Sequence, residues 1–427
     1  MEYLEGIEDL TGLFEPLWLL VATALVLFMT PGLALFYGGL TQTKSVINMM
    51  MMSFAAIGLV AITWALWADG ISFGESAAGG LFGIPGGFAL YDTFDTDPSA
   101  LVEVGFGATF AIITTALISG AIADRAKFSA WMIFVPVWLT LVYAPLAHWV
   151  WGDGGLLVEG GLIGDAVGEA VDFAGGLVVH MCAGLAALAL ALVIGPRRGF
   201  DKLDRATPHS LPLVLLGASI LWFGWFGFNV GEAAFPDESG LNVINTILAP
   251  AAALVAWLIT EAVRGKKPSA VGAASGIVAG LVGITPAVAF VSPMGAIVLG
   301  LVAGVICCFA VDFKWGKYDD TLDVVGLHFV AGLWGTIAIA LFGRAELIGD
   351  GRGSVLLDGE FALLGAQLVA CVVTLVFTFV ATFIIGMVIH KTIGFRVAPE
   401  VEDAGIDVVA HGGPAYAAAE ELPAETR

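Results

Sequence analysis

Charge is scarce in this chain of 427 residues: Asp, Glu, Lys and Arg make up 13%, hydrophobic residues 59%, and mean hydropathy is +0.93. Such a chain cannot wrap its apolar residues in a water-facing shell, which excludes one or two ordinary soluble domains and makes a bilayer the expected solvent. Cysteine is rarer still. Cys182, Cys307, Cys308 and Cys371 all fall inside apolar runs, with neither a disulfide framework nor zinc-ligand spacing. Residues 1–15 carry five acids and no base ahead of the first apolar run, so no secretory signal is expected and the mature chain is expected to begin here. Histidine occurs only six times, which makes each position informative.

What the chain does have is long apolar runs. A helix needs about twenty residues to cross ~30 Å of hydrocarbon, because its backbone must be hydrogen-bonded internally. Eleven runs qualify, at 17–39, 46–68, 104–123, 128–147, 173–194, 210–230, 243–263, 270–290, 295–313, 324–342 and 361–389. The predicted fold is an all-α membrane protein, and the charges test the count, since cytoplasmic loops collect Lys and Arg. With the N-terminus outside, 15 of the 17 basic residues fall on the cytoplasmic side and only Arg344 and Arg352 outside. One span more or fewer would scramble that sorting, so the expected orientation is N-out, C-in.

The same sorting puts 23 of the 38 acids outside, leaving a formal charge of −21 there and zero inside. This coat reads chiefly as a hydrating surface suited to salty surroundings, where a Debye length near ~3 Å screens long-range steering. Enrichment of cations at a pore mouth is the other reading.

Two segments share a pattern. Asp172 precedes His180 by eight residues in DFAGGLVVHMCAGL, and Asp320 precedes His328 by eight in DTLDVVGLHFVAGL; both continue H-x-x-A-G-L. They open spans 5 and 10, an odd number of spans apart, so they run in opposite directions. That predicts a five-plus-five inverted repeat, at about 17–195 and 210–342, whose shared elements meet near the bilayer midplane. Span 11 lies outside the repeat and leads to a polar cytoplasmic tail at 390–427.

His148, His209, His390 and His411 sit at span ends, in loops or in the tail, where a solvated role is the default. His180 and His328 lie inside spans. An ionisable group there is costly and usually faces a partner or cavity, and two at equivalent repeat positions point to function more strongly than one. A neutral imidazole donates with one nitrogen and accepts with the other, so a facing pair offers both to a small polar guest.

The stretches MTPGLALFYGGL, AHWVWG, DFAGGLVVH, LWFGWFGFNVG and DDTLDVVGLHFVAGLWG, in this order from span 1 to span 10, resemble the signatures of the ammonium transporter family, which includes the Amt, Mep and Rh proteins. The resemblance covers nearly the whole chain. It implies ammonium or ammonia transport, with methylammonium as an analogue, by a homotrimer with one pore per subunit and no cofactor. Carried over by motif, His180 and His328 are the paired pore histidines, Phe110 and Phe228 a stacked gate, Trp151 and Phe106 the outer aromatic site, and Asp172 the acid opening span 5. Alone, Phe110 and Phe228 would read as packing, Trp151 as an interfacial belt residue, and Asp172 as a helix cap.

Glu232 departs from the family pattern, which commonly has a small hydroxyl residue after GFNxG. A carboxylate there either strengthens recruitment or belongs to the acidic coat. The tail stretch GFRVAPEVEDAGIDVVAHGGPAY resembles the family's cytoplasmic tail, which implies a PII-type signalling partner of nitrogen regulation. Two rival readings are an ammonium sensor with little net transport, for which no output domain follows span 11, and a haem or metal carrier using the two histidines, which lack further convergent ligands.

Overall fold

The computed structural model describes residues 2–200, 208–314, 317–349 and 351–416, with side chains from Phe14 onward. Lys202, Arg205 and Arg427 of the charge sorting, the acids in the same stretches, and residues 417–427 of the expected tail lie outside the described residues.

Among the described residues, eleven helices are long and apolar enough to cross a membrane: Phe14–Leu40, Thr43–Phe73, Pro98–Ile122, Phe128–Trp151, Gly176–Ile194, Leu211–Val230, Asp237–Val263, Ala270–Ala287, Pro293–Phe313, Val325–Phe342 and Ala362–Thr392. These are spans 1 to 11. Spans 2, 3 and 7 run past the apolar runs that announced them, because a helix closes its own hydrogen bonds as readily in the interfacial layer as in hydrocarbon. Span 4 likewise continues through Trp151 instead of stopping at residue 147. Span 5 starts later than expected, at Gly176, and is the most enclosed, with 89% of its most apolar stretch buried against 33% for span 11. Span 5 is therefore central and span 11 peripheral, tied on by Gln367, which donates to the carbonyls of Val171 and Thr336, and by the Trp138 indole, which donates to Thr382 Oγ1 at 2.9 Å.

The fold is not purely helical. Between spans 2 and 3 a short antiparallel hairpin, β1 (Glu75–Ala77) and β2 (Phe82–Ile84), interlocks with the loop after span 4, where the Leu156 and Leu162 amides donate to the Gly80 and Gly79 carbonyls. His148 belongs to this junction. It is fully buried, with Nδ1 3.0 Å from the Ser72 carbonyl and Nε2 3.2 Å from Ser76 Oγ. The default of a solvated histidine fails here because the hairpin folds back over the end of span 4.

At the other end of the bundle, Arg125 is fully buried, and its guanidinium donates to the carbonyls of Gly195 and Asp319 and to Thr321 Oγ1. Arg197 grips the Asp319 carboxylate with two nitrogens, each at 2.9 Å. The tail lies across this end. Phe395 is fully buried, the Asp407 carboxylate accepts from the Ile47 and Asn48 amides at the start of span 2, and Lys44 Nζ donates to the carbonyls of Glu402 and Asp403.

Candidate functional site

Spans 5 and 10 are opened by the same device. The Asp172 carboxylate accepts four amides: Gly175 and Gly176 on Oδ1 at 2.9 and 2.6 Å, Leu177 and Val178 on Oδ2 at 2.7 and 3.3 Å. These are the orphan donors of a helix that starts inside protein, away from water. The Asp320 carboxylate accepts from Val324 at 3.1 Å and Val325 at 2.8 Å. Burial pushes the Asp172 carboxyl above its ordinary value while the amides pull it back; at Asp320, burial opposed by Lys314 pushes it up to about 6. Each helix then opens with a single π-helical turn, Gly176–Met181 and Val325–Phe329, a distortion that recurs at functional positions. Each turn carries its histidine.

The two helices enter from opposite ends. Trp151 donates its indole N–H to the Asp172 carbonyl, on the side where span 3 begins, whereas the Thr321 and Leu322 amides donate to Ala121 and Gly120, where span 3 finishes. Antiparallel entry brings His180 and His328 together, with their Nδ1 atoms 3.3 Å apart and both rings buried. A bond between two Nδ1 atoms needs one N–H and one lone pair. The far nitrogens are therefore of opposite kind, one an acceptor and one a donor. Nε2 of His180 is buried with no hydrogen-bond partner among the described residues, an arrangement that asks for a polar guest.

Aromatic rings continue the line. Phe228 lies 6.0 Å from the His180 ring and stacks on Phe110 at 4.1 Å and 15°. Phe106 and Trp151 flank Phe110, with centroids at 4.8 and 6.0 Å.

Three voids follow the same line. A chamber of about 230 Å³ at the Trp151 end is walled by Trp64, Phe73, Phe106, Phe110, Tyr143, Trp151, Phe173, Phe228 and Glu232. Glu232 is solvent-exposed at the edge of this chamber. Between Phe228 and the histidines only about 10 Å³ remains, lined mostly by apolar side chains such as Leu33, Ile113 and Val278. That is room for one water-sized molecule at most. At the opposite end a chamber of about 320 Å³ is lined by charged groups that include Arg197, Glu261, Arg264, Asp312, Lys314 and Asp323.

Some contributors escaped the reading of the sequence. Trp225 lies against His180 at 5.5 Å and 28°, its indole held by Thr285 Oγ1 at 2.9 Å. Gly184 and Gly332, each four residues after a histidine, form a reciprocal crossing. A Cβ on Gly184 would meet the Phe329 backbone nitrogen at 2.5 Å, and one on Gly332 would meet His180 Cβ at 3.0 Å. The shared A-G of the two motifs was the available signal.

An eleven-helix bundle with a helix from each half meeting over a narrow apolar void has the architecture of a multi-pass membrane transporter. A profile of the Ammonium Transporter Family matches residues 17–416, and the chain belongs to that family. It is 45% identical over 429 residues to the ammonium transporter of Mycobacterium tuberculosis, covering 93% of this chain and 89% of that one. It is 42% identical over 411 residues to that of Bacillus subtilis, covering 94% and 98%. Among solved structures it resembles Candida albicans Mep2, with TM-score 0.82, 33% identity and coverage of 90% and 86%. It also resembles a protein described as a sensor Amt protein, with TM-score 0.86, 28% identity and coverage of 95% and 100%.

Proposed function

We propose that this chain moves ammonium across the membrane by taking up the ion at the Trp151 end, removing its proton past the Phe110 and Phe228 pair, and passing ammonia along His180 and His328. The observation that carries the reading is the buried histidine pair with an unpartnered Nε2 beside a void for one small molecule.

Dehydrating an ion costs several kcal/mol even after the protein relaxes. Cation-π contacts from Trp151 and Phe106 stabilise it by roughly 1–2 kcal/mol each when water is excluded. Those rings suffice to recruit the ion and fall short of carrying its charge through the narrow segment. Loss of the proton removes the difficulty: ammonia fits the void, gives a hydrogen bond to an acceptor nitrogen and takes one from a donor. The acceptor nitrogen of the histidine pair takes the released proton, and the pair relays it separately. Potassium has no proton to lose, so selectivity requires no size filter.

In this reading Glu232 adds to cation recruitment and Asp172 shapes the entry of span 5. The Trp151 end faces outward and the tail is cytoplasmic, consistent with the charge sorting. Homotrimeric assembly and a PII-type partner at the cytoplasmic face are further expectations of family membership, and crosslinking in membranes and nucleotide-dependent pull-down test them.

The deciding experiment is ammonium uptake in a strain without its own transporters, comparing the intact chain with His180→Ala and Phe110→Ala. Both substitutions are expected to reduce uptake at least tenfold. Unchanged uptake in both would remove this route. Currents in proteoliposomes, with ammonium against methylammonium and potassium, separate net charge movement from movement of neutral ammonia. A sensor with little net transport is the second reading, favoured by the similarity to the sensor Amt protein; ammonium binding without uptake or current would select it.

A further inference from the structure

We propose that His148 is a proton-operated clasp: charged, it ties span 2 and the hairpin to the loop after span 4, and on losing its proton it lets that loop loosen. The side of the membrane on which it works rests on the proposed orientation, and its effect on ammonium entry on the transport reading.

The contacts around the ring cannot all be made by a neutral imidazole. Nδ1 lies 3.0 Å from the Ser72 carbonyl, an oxygen that only accepts, so Nδ1 carries a hydrogen. Nε2 lies 3.2 Å from Ser76 Oγ, and that hydroxyl donates its single hydrogen to the Gly154 carbonyl at 2.8 Å. For the three contacts to stand together Nε2 must donate as well, and only an imidazolium has two N–H groups. In the neutral ring, with Nδ1 still donating to Ser72, a lone pair on Nε2 faces the Ser76 oxygen. The hydroxyl then turns to Nε2 and leaves Gly154. One proton on the histidine decides where the hydroxyl points.

The ring is fully buried, whereas Ser76 is half-buried and gives a proton a way in. Glycine makes room for it, since a Cβ on Gly152 would meet Nδ1 at 2.4 Å. The elements packed on the ring carry Asp69 near the end of span 2, Glu75 in β1, Asp153 in the following loop and Asp172 at the opening of span 5, while span 4 and β2 carry no charged residue. Glu75 and Asp153 are exposed, the Asp172 carboxylate is taken up by four amides, and both ring nitrogens face Ser72 and Ser76 instead of a carboxylate. Burial disfavours the charge and the two acceptors favour it. Histidine is also the side chain whose charge changes nearest neutral pH.

The clasp stands behind the mouth of the passage. Phe73 follows Ser72, and Trp151 lies one turn beyond His148; both line the chamber there. The loop held at Gly154 goes on to pair with the hairpin through the Leu156 and Leu162 amides. Loss of the proton loosens this pairing and the setting of both rings, so ammonium entry weakens as external pH rises.

Hydrogen exchange of the purified full-length protein at about pH 6 and about pH 8, corrected for the intrinsic rates of unstructured peptide, reads the clasp without transport. Exchange across residues 152–163 is expected to quicken about threefold to tenfold at the higher pH, the weight of one hydrogen bond. His148→Gln cannot gain a charge and is expected to exchange equally at both. Ser76→Ala lacks the turning hydroxyl, is expected to exchange fast at both, and serves if the first variant folds poorly. In proteoliposomes with internal pH fixed, the KM for ammonium, which stays largely protonated over this range, is expected to rise by a similar factor in the intact chain and in neither variant. Exchange that ignores pH in the intact chain, or a pH response that persists in both variants, would overturn the clasp. A flat KM beside pH-dependent exchange would overturn its hold on entry. Exchange that follows pH in a protein with no uptake upholds the clasp and sinks the transport reading alone.

Discussion

Asp172 shows how one side chain starts a helix inside the protein. Its two oxygens face four amides, an arrangement only a pure acceptor can satisfy. Asp172→Asn would turn an NH₂ group toward two of those donors. The expected loss is about 1–3 kcal/mol, read as a lower melting temperature of the purified protein in detergent. The capping role was legible from an acid eight residues ahead of a histidine; its reach over four amides was not, because that depends on the bend at Gly175, whose φ of 113° suits glycine alone. His148 was misread for a related reason. Its partners, Ser72 at the end of span 2 and Ser76 in the hairpin, lie more than seventy residues away in sequence.

The helix crossing beside the histidines depends on two glycines. Gly184→Ala would push against the backbone of Phe329, and Gly332→Ala against His180. Overpacking of this kind costs roughly 1–3 kcal/mol, and here it would also separate the rings. Each substitution is expected to cut ammonium uptake at least tenfold, with the protein still inserted in the membrane as judged by yield and size-exclusion profile. Gly58→Ala, on a face of span 2 with open space around it, is the control and should leave uptake within twofold, since alanine favours a helix. Span number and approximate limits were legible because hydropathy is carried by contiguous residues. The π-helical turns and the lengthened ends of spans 2, 3, 4 and 7 were not, since hydrogen bonding rather than hydropathy sets them.

The two ends of the molecule differ. One carries the hairpin and aromatic chamber, the other the Arg125 and Arg197 network and the docked tail. Sidedness can be measured cleanly because all four native cysteines are buried. A cysteine introduced at Ser99 is expected to react with an impermeant maleimide from outside intact cells, and one at Ser269 only after permeabilisation; the reverse pattern would invert the proposed orientation. The tail is held to span 2 by Asp407 and Lys44. Asp407→Ala is expected to free it, giving faster proteolysis between residues 396 and 411 on the exposed face of inverted vesicles.

Family membership and the number of crossings were written along the chain, in run lengths and in two copies of one motif, since a bilayer imposes the same demand on every segment separately. The meeting of His180 with His328, 148 residues apart, the stacking of Phe110 on Phe228 and the two chambers arose only in three dimensions. They depend on how closely helices approach and where each begins, and those distances are settled by packing between segments that no local pattern links.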